Sequence, residues 1–336
     1  MHPAWHPPPR RGPLGQQPPA HLRARREAGP EPTIAGARVT LVESRPHPPL
    51  RYPEQPLHHL DTLWIQVAGT LCNLRCTHCF VRSGPGEARH AFLSREEVRA
   101  RVAEALPLGV REFYFTGGEP FTHPDLISIL ADTLAHGPST VLTNGTLFTE
   151  RLLRALSQLA AEAAPYSLEV RVSLDGYRAR DHDVFRGEGS FARALAGIRA
   201  LSEHGLLPIV TVTQNTAEDP RSFRRHYTDM LREAGVARPR LKILPMFRLG
   251  REAERTRGYL EVETLAGLPA ASFDPMRLQC SSCRAVTSQG VFVCPLLVDE
   301  PGGRMGDRLD ETLGPFTLAH GACSTCYVTG MTCANG

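Results

Sequence analysis

Three cysteines lie within eight residues, in the run Cys72-Asn73-Leu74-Arg75-Cys76-Thr77-His78-Cys79. Thiolates this close can ligate three corners of a cubane iron–sulfur cluster. Ferredoxin-type clusters take four cysteines. With three, one iron stays open to a substrate or cofactor, which is what a catalytic metal site requires. The competing chemistry is a zinc ion held with His78 or a distant fourth ligand. That reading leaves Cys72 as an extra thiolate.

The other six of the nine cysteines crowd the C-terminus: Cys280, Cys283, Cys294, Cys323, Cys326 and Cys333. Structural thiols would be scattered through the core as small apolar groups, and none is. Six thiolates suffice for one fully ligated cluster, or for two if other ligands contribute. Two Cys-x-x-Cys pairs could instead make a four-thiolate zinc site, which would leave Cys294 and Cys333 unused. Between the two groups lie Gly117-Gly118-Glu119-Pro120, Thr143-Asn144-Gly145 and Ser173-Leu174-Asp175-Gly176. Glycines let a backbone approach a ligand closely, and Glu119 can pair with an ammonium group. Taken singly, these are turn sequences.

The elements that must position them alternate regularly. Strands are predicted at residues 63–67, 113–115, 140–142, 168–174, 209–212 and 241–244. Helices are predicted at 94–106, 124–135, 150–163, 191–204 and 222–234, the first opened by the capping-box spacing Ser94-Arg95-Glu96-Glu97. Such alternation demands right-handed crossovers and a parallel sheet, open or curved into a barrel. Each chemical segment then falls at the C-terminal end of a strand, where ligands gather in such sheets. His182 and Asp183 follow the fourth strand and are expected to be exposed. Residues 251–265 are expected to add one more helix. From Leu278 the chain is short, turn-rich and cysteine-dense, a region that bound metal could hold together.

Length and charge narrow the function classes. The chain has 336 residues, 41% of them hydrophobic, enough for one large core or two modest ones. No window approaches the roughly 18 apolar residues of a membrane span, and no apolar h-region marks a secretory signal. No membrane partner and a cytoplasmic location are expected, with reduced thiols. A net charge of +3 is too mild to imply nucleic acid, although every basic residue but Lys242 is arginine. Residues 1–56 hold 14 of the 29 prolines and are expected to form a disordered tail, with Val39 to Glu43 a possible edge strand.

The cysteine loop, with Phe80 after it, resembles the signature of the radical S-adenosylmethionine (SAM) superfamily. The resemblance covers about residues 61–250 and implies a partial (β/α)6 TIM-like barrel over 57–250. It implies that Cys72, Cys76 and Cys79 hold a 4Fe-4S cluster whose fourth iron is chelated by SAM. Reductive cleavage then yields a 5'-deoxyadenosyl radical that abstracts a substrate hydrogen. Gly117, Gly118, Glu119 and Pro120 resemble the motif that contacts the methionyl amino group. By the same resemblance Phe80 and Asn144 border SAM, Ser173 contacts its ribose, Asp175 faces ribose or substrate, and Arg186 meets the methionyl carboxylate. Asn215 is a weaker pocket candidate.

Residues 251–336 resemble the SPASM and twitch auxiliary-cluster domains, which implies one or two further iron–sulfur clusters on the C-terminal cysteines. Gly290 to Pro295 resembles the hairpin that presents one ligand there. The implied protein is an enzyme that oxidises or rearranges a peptide, protein or small-molecule substrate. Its implied partner is a flavodoxin- or ferredoxin-type electron donor. The alternative is a non-catalytic zinc- or iron–sulfur-binding interaction module. No general acid or base stands out.

Overall fold

The expected alternation is realised as a parallel sheet covered by helices. The structure, a computed structural model, describes residues 50–330. All lie in one of the two units into which the chain divides, Pro49–Gly336. Chain order runs β1 (Glu54–Gln55), β2 (Thr62–Ile65), α1 (Arg95–Ala105), β3 (Glu112–Phe115), α2 (Leu126–Leu134) and β4 (Ser139–Thr143). It continues with α3 (Glu150–Glu162), β5 (Leu168–Ser173), α4 (Ala179–Arg186), α5 (Ser190–Glu203), β6 (Ile209–Gln214), α6 (Pro220–Glu233) and β7 (Arg240–Pro245). The C-terminal part holds α7 (Gly250–Arg255), β8 (Cys283–Thr287), β9 (Gly290–Phe292), β10 (Arg304–Gly306), β11 (Phe316–Thr317) and α8 (Gly321–Thr329).

Strands β2 to β7 pair in parallel in sequence order, as six βα units require. Side chains alternate across such strands, and the alternation builds two cores. Leu63, Ile65, Phe113 and Phe115 pack with α1, α2, α3, α5 and α6 on one face. Trp64 and Tyr114, between them in sequence, pack on the other face with the C-terminal cysteines. Their rings stack at 4.4 Å. Helix α1 starts where expected: Ser94 Oγ accepts from Glu97 N–H at 3.2 Å, and Glu97 accepts from Ser94 N–H at 2.7 Å.

Four expectations change. Residues 251–336, read as a separate module, carry β8, which pairs in parallel with β2 in the register Thr62↔Cys283 to Ile65↔Val286. The barrel sheet thus continues into β8, β9 and β10. The helix expected over 251–265 stops at Arg255. A short helix, α4, follows β5 where none was predicted. The end of the proline-rich stretch is ordered, because Glu54 and Gln55 pair antiparallel with Thr317 and Phe316. The possible strand at Val39 to Glu43 lies outside the described residues, as does Cys333. Among the described residues no helix is long and apolar enough to cross a membrane.

Candidate active site

The loop after β2 brings Cys72, Cys76 and Cys79 to the wall of a cavity of about 230 Å³ at the C-terminal end of the barrel strands. Phe80, Gly117, Gly118, Asn144, Ser173, Asp175 and Arg186 line the same cavity. Main-chain and amide N–H groups point at two of the thiols: Leu74 N–H at 3.4 Å and Asn144 Nδ2 at 3.8 Å from Cys72 Sγ, and Ser83 N–H at 3.3 Å from Cys79 Sγ. Such donors stabilise a thiolate and tune a bound cluster. Burial pushes the Cys72 thiol up to about 12, with Glu119, Cys76 and Cys79 adding to the rise and the Leu74 N–H opposing it. The metal-free thiol is therefore protonated at neutral pH, and loading metal must release its proton.

Gly117 and Gly118 answer to the protein before any ligand. A Cβ on Gly118 would lie 1.9 Å from the Leu71 carbonyl oxygen and 2.9 Å from Cys72 N. Gly117 has φ +136° and packs against Ala68 and Gly69. Glu119 N–H donates to Leu71 O at 2.9 Å. The turn after β3 is thus locked backbone to backbone on the cysteine loop. Gly118→Ala should cost about 1–3 kcal/mol and displace Cys72. Urea unfolding and iron content after anaerobic reconstitution check this; wild-type values for both would show that the contact is not as close as described.

Glu119 does not face the cavity. It is fully buried, and its carboxylate accepts from Phe121 N–H (3.1 Å), Thr143 Oγ1 (2.7 Å) and Asn144 N–H (2.8 Å). With these three donors the carboxylate braces the β3 and β4 loops against each other. Burial outweighs those donors and raises its carboxyl above the ordinary range. Pro120, also buried, opens the single turn that Glu119 caps.

Asp175 and Arg186 form a buried ion pair, with His78 Nε2 2.9 Å from the same carboxylate. Burial alone would raise the Asp175 carboxyl. Arg186 and His78 outweigh it and hold the group well below the usual range. Helix α4 supplies both Arg186 and His182, which is fully buried, contrary to expectation. Burial, with Arg186 beside it, pulls His182 down to about 4. Its neutral Nδ1 accepts from Asp175 N–H at 3.1 Å. Asp183 caps α5 by accepting from Gly189 and Phe191 N–H. Asn215 donates to the Asp175 carbonyl at 3.0 Å and is not among the lining residues.

Several residues escaped the sequence reading. Trp64, Thr211, Thr213, Leu244, Met246, Phe247 and Leu296 line the cavity. Strand alternation could have found the first three. Arg251, at the start of α7, donates to the carbonyls of Cys76, Arg82 and Ser83, clamping the cysteine loop from outside.

A second thiol cluster lies in the C-terminal part. Cys280, Cys283, Cys294, Cys323 and Cys326 are buried in one core with Trp64 and Tyr114. Burial raises Cys280 well above the ordinary thiol range, and the other four thiols add to the rise, so all five are electrostatic neighbours. Cys323 and Cys326 share a face of α8 at i, i+3. Cys294 follows the β8–β9 hairpin, whose Gly290 has φ +114°.

The residues fit the groups their chemistry implies. Three thiols on one cavity wall suit a cluster with an open iron. Three buried polar atoms of lining residues, His78 Nδ1, Ser83 Oγ and Thr211 Oγ1, have no protein partner and suit a polar ligand. Among the described residues no three His, Cys, Asp or Glu side chains form a group that would hold one metal ion.

Residues 67–219 match the family described as the Radical SAM superfamily. The chain is 35% identical over 144 residues to the antilisterial bacteriocin subtilosin biosynthesis protein AlbA of Bacillus subtilis, covering 42% of this chain and 31% of that one. It is 31% identical over 197 residues to the Fe-coproporphyrin III synthase of Methanosarcina barkeri, covering 57% and 46%. The chain spans less than half the length of these curated relatives. In fold it resembles Streptococcus suis SuiB bound to precursor peptide SuiA, with a TM-score of 0.56 at 13% identity over 77% of this chain and 64% of that one.

Proposed function

We propose that this chain, which belongs to the radical SAM superfamily, is a cytoplasmic enzyme that modifies a peptide by hydrogen abstraction. When bound, a 4Fe-4S cluster and SAM supply reductive cleavage to methionine and a 5'-deoxyadenosyl radical, with the electron from a flavodoxin- or ferredoxin-type donor. Cys72, Cys76 and Cys79 would hold that cluster. The Asp175–Arg186 pair and Ser173 would orient SAM, and His78 would be fixed beside it by Asp175. The C-terminal thiols would hold an auxiliary iron–sulfur cluster.

The observation that carries the peptide reading is the apolar part of the cavity lining. Trp64, Leu142, Leu244, Met246, Phe247 and Leu296 make it up, and the one guanidinium in the lining, Arg186, is paired with Asp175. A phosphate- or propionate-bearing substrate would need an unpaired cation there. An uncharged peptide side chain needs none. The bacteriocin-biosynthesis relative and the fold shared with a precursor-peptide complex favour the same substrate class.

The test is anaerobic: reconstituted, dithionite-reduced protein is given SAM and 5'-deoxyadenosine is measured. Peptides carrying perdeuterated apolar residues are then added, and deuterium in the product nucleoside is followed. Deuterium transfer supports the reading. SAM cleavage that only small charged metabolites stimulate would replace the substrate class. An iron-loaded protein that forms no 5'-deoxyadenosine would overturn the enzyme reading.

A further inference from the structure

Arg284 is among the largest fully buried side chains of the molecule, 1% exposed, in a strand buried along its whole length. A guanidinium cannot lose its proton in a protein, and a buried charge is costly unless paired. Arg284 forms no ion pair with a carboxylate among the described residues. Its four hydrogen bonds all go to main-chain carbonyls: Nη1 to Cys280 O (3.2 Å) and Cys283 O (2.8 Å), Nε and Nη2 to Thr312 O (2.9 and 2.8 Å). Its electrostatic neighbours are Cys283, Cys280 and Cys294.

We infer that Arg284 is a positioning residue whose fixed charge offsets the negative charge of the thiolate-held auxiliary cluster and raises its reduction potential. The side chain occupies the opposite face of β8 from Cys283 and Ala285, by the strand's alternation. It therefore acts through the Cys280–Cys283 main chain, holding both carbonyls back so that the thiols turn the other way. Among the described residues the hydrogen-bond partners of the guanidinium, without a bound cluster, are carbonyl dipoles alone. With it, the buried cation gains an anion. Burial and nearby charge are two of the levers by which proteins set iron–sulfur potentials.

This inference rests on the C-terminal thiols being cluster ligands, and the experiment separates the two ideas. The parent is the full chain carrying Cys72→Ala, Cys76→Ala and Cys79→Ala, so that only C-terminal iron remains. Iron content and an anaerobic redox titration followed by EPR are recorded for the parent, then with Arg284→Met or Arg284→Lys added. In the Met variant the reduced-to-oxidised ratio at a fixed potential should fall at least tenfold, 59 mV for a one-electron couple. The Lys variant should stay within tenfold of the parent. Loss of iron from Met but not Lys supports the same charge requirement. An iron-loaded Met variant with the parent's potential overturns the inference, as does equal loss of iron from both variants, which would make the role purely geometric. A parent without C-terminal iron overturns the auxiliary-cluster reading itself, and the inference with it.

Discussion

Cys76→Ala should abolish SAM cleavage while leaving the barrel folded. Cys76 sits mid-loop, and its apolar neighbours are Cys72, Leu74 and Cys79, a group apart from the large core that joins sheet to helices. Removing it takes away one of three anchors, and no fourth thiol from the loop can replace it. Loss of an outer-shell partner typically costs 10–100-fold. Loss of a ligand from an already three-coordinate cluster should exceed that, to the background of iron-free protein. Stability should change by less than about 1 kcal/mol, because one small side chain on a loop is lost. The check pairs a 5'-deoxyadenosine assay with urea unfolding under anaerobic conditions. Retained cleavage would sink the role given to this loop. Unfolding would mean that the loss of activity says nothing about ligation.

The second large effect is on stability. Asp175→Asn leaves Arg186, 13% exposed on the cavity wall, beside a neutral amide, and breaking a mostly buried pair by removing one partner costs about 3 kcal/mol, the low end for buried pairs. That is a large share of the about 5–15 kcal/mol of a whole domain. The pH dependence has a definite sign. The Asp175 carboxyl is held below its unfolded value by Arg186 and His78 despite burial. Its stabilisation is therefore fully present above an unfolded value of about 3.9. It is lost as pH falls through the lower folded value. Between about pH 3 and 8 wild type should exceed the variant, with the margin shrinking below about pH 4. Urea midpoints across that range decide it. A margin under about 1 kcal/mol at neutral pH, or one that does not shrink below about pH 4, would refute the pairing.

Much of the barrel was legible because strand and helix periods leave separate marks. The six strands lie within a few residues of their predicted places, and the Ser94 capping box was readable from spacing alone. The motif glycines were legible as close approaches, but what they approach first is the Leu71–Cys72 backbone. The bracing of Glu119 was not legible, because a lone carboxylate in a turn gives no sign that Thr143 and Asn144 will donate to it. Helix α4 hid because its polar, arginine-containing sequence shows no apolar stripe, although its inner face buries His182 and pairs Arg186 with Asp175. Strand β8 hid behind the charge of Arg284, which breaks the apolar pattern of Cys283 to Thr287. Both failures have one cause: a buried charge is satisfied by tertiary partners that no local pattern records.

The pairing of β8 with β2 has a consequence for biogenesis. As the ribosome delivers the chain, β2 emerges early, yet Thr62 meets its partner Cys283 only after more than 200 further residues. Until then the first strand of the barrel is an unpaired edge, the kind of surface that invites mispairing with other chains. The contact is among the most non-local in the fold, and such contacts form slowly. Closure of that edge and burial of the C-terminal thiols are one event, since Cys283 takes part in both.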